Sequence, residues 1–170
     1  GPFKWLVGGY YNKGKTGECA TCGNVLGGIA LGSSSIFQAN PEVHYKAYAA
    51  FTDLEYTLSD HVVVGAGARY DEIRQELRPA TGPSSKGSFH GFQPKLTARY
   101  LFDPDTQIYA SITKGFTQGG FNAALAGTGS PLETFPNQRL WSYETGFKSS
   151  FDDRRGNIAV SLYYIDAQSF

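Results

Sequence analysis

The chain has 170 residues, which is enough for one domain with a substantial core. Its formal charge is zero, with 15 basic and 15 acidic residues, and this balance removes the usual electrostatic argument for nucleic-acid binding. Aromatic residues make up 15% of the chain and charged residues only 18%, a composition that favours extended strands over helices.

Seven segments alternate apolar and polar residues with the period of two that is typical of β-strands. In the second segment, Leu54 and Tyr56 share one face, whereas Asp53 and Glu55 share the other. In chain order, the predicted strands cover approximately residues 3–11, 44–58, 61–76, 91–102, 106–117, 139–151 and 156–168. The sequence therefore predicts an all-β fold, an antiparallel up-and-down meander with one apolar face and one charged face.

The connections between these strands alternate between short and long. The short ones are rich in Asp, Pro and Gly, which are turn residues. The long ones cover about 12–43, 77–90 and 118–138, and loops of that length are uncommon unless they are functional. Short turns at one end and long loops at the other are typical of a transmembrane β-barrel. A soluble antiparallel sandwich, with the apolar face as its core, is the alternative.

Several segments, in this order, resemble the barrel region of TonB-dependent outer-membrane receptors. They are KAYAAFTDLEYTLSD at 46–60, VVGAGARYD at 63–71, PKLTARY at 94–100, YASITKGFTQGGFN at 109–122, YETGFK at 143–148 and LYYID at 162–166. The resemblance implies a large barrel of about twenty-two strands around an N-terminal plug. Residues 1–170 would then be part of a single barrel domain in the bacterial outer membrane, a partial segment of about seven strands, about a third of the barrel.

The resemblance also implies a function, namely energy-coupled uptake of a scarce nutrient, most often a ferric siderophore. The expected partners are a ferric siderophore or similar nutrient, the TonB protein acting through the plug, and outer-membrane lipid. We expect no catalytic residue, no cofactor and no protein-ligated metal, because any iron would arrive inside its chelator. A passive porin or specific-diffusion channel would share the strand pattern and stays open as an alternative.

The fifth strand runs into an aromatic, glycine-rich stretch that we predict to lie at the mouth of the barrel. Gly119 and Gly120 would let the backbone turn inward. Side chains nearby would then offer stacking and hydrogen bonds to a ligand. The predicted ligand-binding residues are Phe116, Gln118, Phe121, Asn122 and Arg139. The alternative is that this loop merely packs on its neighbours. Asn137 stands where the family usually has an acidic residue.

Two further motifs have a chemical alternative. Cys19 and Cys22 have redox or half-zinc spacing, but the sequence has no second pair of this kind. In an oxidising exterior we expect a disulfide that tightens the loop, with a metal or redox role and free thiols as alternatives. The stretch VGAGARY at 64–70 mimics a dinucleotide fingerprint, yet no helix follows it. We interpret its inward glycines, Gly65 and Gly67, as leaving room for a neighbouring element.

The predicted inward face also carries charges at mid-strand, among them Asp53, Arg69, Lys95 and Arg99. Such charges either form cross-strand ladders that satisfy one another or line a path for the ligand. The sequence leaves both interpretations open.

Overall fold

A computed structural model describes residues 1–17, 42–79, 82–122, 125, 128–153 and 155–168. The strands in these ranges are β1 (Phe3–Gly17), β2 (Glu42–Thr57), β3 (Val62–Arg78), β4 (Ser85–Asp103), β5 (Thr106–Thr117), β6 (Gly120–Phe121), β7 (Thr134–Phe135), β8 (Gln138–Phe151) and β9 (Gly156–Gln168), with a 3₁₀ turn at Pro131–Glu133 before β7. Throughout these ranges, no helix is long and apolar enough to cross a membrane.

Seven of the strands form one antiparallel sheet in the order β1-β2-β3-β4-β5-β8-β9. Strands β6 and β7 form a separate two-stranded hairpin inside the connection from β5 to β8. Each strand of the large sheet pairs with the next one along the chain, so the sheet is an up-and-down meander. The predicted fold class is therefore confirmed.

The outward face of the sheet is apolar and forms no core with another layer of the described chain. The register aligns Leu54 with Ala66, Ala66 with Leu96, and Leu96 with Ile112, so these side chains form one apolar row across four strands. Leu96 is 58% exposed even though it lies in the middle of the sheet. A soluble sandwich would bury this row, whereas a barrel segment presents it to lipid.

Aromatic pairs mark both ends of the outward face. At the long-loop end, the rings of Tyr11 and Tyr48 are 5.2 Å apart between centroids. At the short-turn end, Tyr100 and Phe102 are 5.0 Å apart. Amphipathic rings at two levels are the interfacial girdles of a membrane barrel, and they place the hydrocarbon region between them.

The strands run further into the long-loop end than their apolar alternation predicts. β3 ends at Arg78 and β4 begins at Ser85, so the predicted loop 77–90 is reduced to a connection over 79–84. The reason is that backbone pairing continues where the apolar pattern stops. β4 has 19 residues, about 63 Å at ~3.3 Å per residue, roughly twice the hydrocarbon thickness. The outer ends of β1 to β4 therefore project beyond the membrane.

The other two long loops also differ from their predicted extents. β1 continues to Gly17 and β2 starts at Glu42, both within the predicted loop 12–43. Cys19 and Cys22 lie outside the described residues, and their disulfide stays a prediction. The predicted loop 118–138 contains the β6–β7 hairpin and the 3₁₀ turn.

The short turns have the local chemistry that their residues predict. Asp152 and Asp153 have φ of 54° and 51°, in the left-handed region that Asp tolerates better than most residues. In the turn before β5, the backbone N–H of Asp105 donates to Asp103 Oδ1 at 2.8 Å. Both turns let antiparallel strands follow each other closely at this end of the sheet.

Candidate ligand-binding surface at the outer end of the barrel

The inward face carries a ladder of ion pairs between β2 and β4. Arg99 donates to Glu55 Oε2 at 2.5 Å, and Lys95 Nζ lies 3.7 Å from Asp53 Oδ2. These strands are not neighbours, because β3 lies between them. The charged side chains therefore meet above β3 and cancel each other across it.

Glycines on β3 make these contacts possible. Gly65 pairs with Glu55 on one side and with Thr97 on the other, and Gly67 pairs with Asp53 and Lys95. A Cβ atom at Gly67 would come within 3.1 Å of the Asp53 carboxylate. The room that these glycines leave is thus occupied by side chains of the adjacent strands.

A second polar cluster on this face surrounds Asp71, which is only 9% exposed. Its carboxylate accepts hydrogen bonds of 2.7 and 2.6 Å from Arg69 and one of 2.7 Å from Gln93. The Arg69 guanidinium also lies 5.8 Å from the centre of the Phe51 ring. Towards β8, Tyr109 donates to Glu144 at 2.6 Å. The inward charges thus form satisfied ladders, the first of the two interpretations that the sequence left open.

After β5 the chain turns onto the inward face of the sheet. Gly119 is needed there, since a Cβ at this position would lie 2.7 Å from the Phe89 ring and 2.8 Å from the backbone of Pro136. The turn delivers Phe121 onto Phe89, with ring centroids 6.3 Å apart in an edge-to-face arrangement. Phe121 is 9% exposed and clusters with Val43 and Leu77, so the loop has its own small core.

Polar contacts hold the docked loop at two more points. Asn137 accepts from the backbone N–H of Gly119 at 2.8 Å and donates to the His90 carbonyl at 2.9 Å, which ties the loop to β4. Glu133 is 5% exposed and accepts from Ser85 Oγ at 2.6 Å. Sequence analysis missed both roles. The side chain of Asn commonly forms hydrogen bonds to nearby backbone, and this preference could have indicated the role of Asn137. No feature of the sequence indicated the role of Glu133.

The predicted ligand-binding residues do not converge on one point. Phe116 and Arg139 are cross-strand partners, and both line a shallow cavity of about 190 Å³. Gln118 is half-buried, Asn122 is exposed, and Phe121 is buried in the loop core. A ligand would reach the Phe121 ring only after the loop leaves the sheet, and the ligand-binding role of all five residues stays a prediction.

The cavity next to Phe116 combines aromatic and basic groups. Its other lining residues include Tyr70, His90 and Lys114. Lys114 Nζ lies 5.7 Å from the Trp141 ring, a cation–π arrangement that orients the ammonium group at the outer interface. In the part of the chain that the structure describes, no three His, Cys, Asp or Glu side chains are grouped to hold a metal ion. The aromatic and basic side chains that line this cavity are suited to an anionic or aromatic ligand.

Comparison with known proteins identifies the family. Residues 2–170 match the family model of the TonB dependent receptor-like β-barrel. The fold is similar to that of the ferric yersiniabactin uptake receptor FyuA from Yersinia pestis, with a TM-score of 0.66 and 19% identity over 76% of this chain. It is also similar to the alcaligin outer-membrane receptor FauA from Bordetella pertussis, with a TM-score of 0.61 and 20% identity over 75% of this chain.

The chain spans about a fifth of each of these two structures, 21% in both cases. At these identities the structural likeness shows the shared fold, and the family model carries the assignment. Since that model matches nearly every residue, the chain belongs to the TonB-dependent receptor family and forms part of its outer-membrane β-barrel.

Proposed function

We propose that the chain is part of an outer-membrane receptor for the energy-coupled uptake of a ferric siderophore. It contributes a section of the barrel wall, a section of the barrel mouth and the loop after β5. The observation that carries the proposal is the loop after β5, which leaves the outer end of a lipid-facing sheet and packs on its inward face through Phe121. A loop in that position stands where a ligand enters the lumen. The ferric yersiniabactin uptake receptor among the similar structures supports an iron complex as the nutrient class.

Each part of the segment has a separate role in this proposal. The outward row around Leu96 holds the barrel in lipid, while the ladders around Glu55 and Asp71 form a wall that can face water. Arg139 and Phe116 supply a positive charge and a ring to an anionic chelate. Iron is cargo in this scheme, held by the chelator. The energy comes from the TonB protein acting on a plug, and the chain performs no catalysis.

The test uses the full-length protein that contains this chain, expressed in a Gram-negative host without its own ferric siderophore receptors. We expect accumulation of radiolabelled iron supplied as a ferric siderophore, and we expect it to stop when a protonophore collapses the inner-membrane gradient. Uptake that continues after the gradient is lost would establish a passive channel. If the receptor takes up another large nutrient and no ferric siderophore, the assignment of iron as the nutrient is refuted, and the assignment of energy-coupled uptake is not.

A substitution tests the ligand surface itself. Arg139→Gln should weaken binding of the transported complex by roughly 10- to 100-fold, because a hydrogen bond to a charged group is worth about 1.5–3 kcal/mol. Arg155→Gln is the matched control, since Arg155 is an exposed arginine in the turn at the opposite end of the sheet. Equal affinity of both variants and the unmodified receptor would remove Arg139 from the site.

A further inference from the structure

Three basic residues lie side by side on the outward face, above the membrane. The register places Lys13 opposite Lys46 and Lys46 opposite Arg74. We call these three residues the basic rung. Directly opposite residues in antiparallel strands have Cβ atoms about 4.5–5.5 Å apart, and like charges there destabilise the sheet. The inward face avoids this arrangement by pairing opposite charges, so the basic rung is a local exception that calls for a counter-charge.

The carboxylates of the same region already have partners. The pairs are Glu72–Arg74 at 2.7 Å, Glu76–Arg78 at 2.8 Å and Glu42–Lys15 at 3.5 Å. The hydrogen bond from Arg78 lowers the pKa of Glu76, so this carboxylate stays ionised beside its own arginine. Among the described residues, Lys13 and Lys46 form no ion pair. Lys86 lies opposite Glu76 in the register, and its charge helps to lower the pKa of that carboxylate, which already binds Arg78. Six cationic side chains therefore share three carboxylates in this region, and the exposed ammonium groups of Lys13 and Lys46 are left without compensation.

The position of these lysines relative to the membrane follows from the aromatic girdle. Tyr11 and Tyr48, whose rings are 5.2 Å apart, lie two residues nearer the membrane on β1 and β2 than Lys13 and Lys46. Two residues along a strand span about 7 Å. The lysines thus lie just beyond the interfacial rings, at the level of lipid headgroups. They border an open depression of about 690 Å³, whose lining also includes Arg74 and Lys86.

We propose that the surface formed by the basic rung and Lys86 binds the phosphate groups of a phosphorylated glycolipid in the outer leaflet of the outer membrane. Ammonium groups are compact charges that bind phosphate well. An exposed, open surface would hold free phosphate weakly, whereas a lipid is kept beside the barrel by its acyl chains, which contact the apolar row below. The proposal depends on the outer-membrane location of the barrel and not on the identity of the nutrient.

The test measures lipid binding to the full-length receptor, delipidated in a nonionic detergent. The probes are fluorescent lipid A that carries its phosphates and the same lipid A after phosphate removal. We expect the unmodified receptor to bind the phosphorylated form roughly 10- to 100-fold more tightly, since each cation near an anionic surface contributes about fivefold. Added salt should reduce this difference, because it screens exposed charges.

The triple variant Lys13→Gln, Lys46→Gln and Lys86→Gln should lose that preference. The charge-matched control is Lys4→Gln, Lys95→Gln and Lys148→Gln, which removes three lysines from the inward face and should keep it. Heat-modifiable migration in gels shows that each variant is folded. Equal binding of both lipids by the unmodified receptor overturns the proposal without any variant, as does an equal loss in the two triple variants.

Discussion

Replacement of Phe121 by alanine should release the loop that follows β5. The Phe121 side chain is 9% exposed, and a phenylalanine of that burial removes roughly 150–200 Å² from water, worth about 4–5 kcal/mol at ~25 cal/mol per Å². Alanine retains a small part of this, and the site is at an open rim that can relax around the cavity. We therefore expect docking to weaken by about 3 kcal/mol, or roughly 100-fold in the opening equilibrium.

The assay is amide hydrogen exchange of the full-length receptor in detergent micelles. The backbone N–H of Asn122 is the reporter, because it donates to the Glu133 carbonyl at 2.7 Å only while the hairpin is formed. It should exchange about 100-fold faster in Phe121→Ala, or reach the unprotected rate if the loop opens completely. Leu132→Ala is the control, since Leu132 belongs to the same loop and is 72% exposed. That variant should change the exchange rate by less than about threefold.

Unchanged protection of Asn122 in Phe121→Ala would refute the idea that the aromatic core holds the loop. Equal effects of Phe121→Ala and Leu132→Ala would refute it as well, because both residues belong to the loop after β5 and only Phe121 is buried. If the docked loop restricts ligand entry, the released variant should also bind the ligand faster.

Three further changes test other contacts of the inward face and the outer strand ends. Gly119→Ala should expose the Asn122 amide as Phe121→Ala does, because the added methyl group meets the Phe89 ring. Asp71→Asn should lower the free energy of unfolding in urea by about 2 kcal/mol, since it weakens the bonds from Arg69; a change below about 0.5 kcal/mol contradicts this. A hydrogen bond from His44, followed by the charge of Lys15, lowers the pKa of Glu42 below its ordinary value. The ionised Glu42 carboxylate therefore stabilises the fold at pH values above its pKa in the unfolded chain. This stabilisation is lost as the pH falls through the lower pKa of the folded state. Glu42→Gln should thus lower the unfolding midpoint at neutral pH and leave it unchanged in acid.

The features of the fold that depend on residues near each other in the chain could be predicted from the sequence. The alternation of Leu54 and Tyr56 with Asp53 and Glu55 determines which face is apolar, because a shift of one residue would exchange the two faces. The turn at Asp152 is equally local. Strand ends were harder to predict, since backbone pairing to Arg78 continues beyond the apolar pattern that marks the membrane.

The contacts of the ligand surface could not be predicted from residues that are near each other in the chain. Phe121 was predicted to contact a ligand, and the structure places it against Phe89, which is 32 residues away in the chain. Asn137 was noted only as a departure from a family pattern, yet it connects Gly119 to His90. Neither contact follows from periodicity, because each depends on how a long loop closes over the sheet.

The sequence by itself thus determined that the chain is an antiparallel meander with one apolar and one charged face, and that short turns and long loops lie at opposite ends of it. Only the tertiary structure decided which side chains meet across strands, such as Arg99 with Glu55 over Gly65, or Lys13 with Lys46. The physical reason is that alternation is a property of one strand, whereas register is set by hydrogen bonds between strands and by turns far from the residues they align.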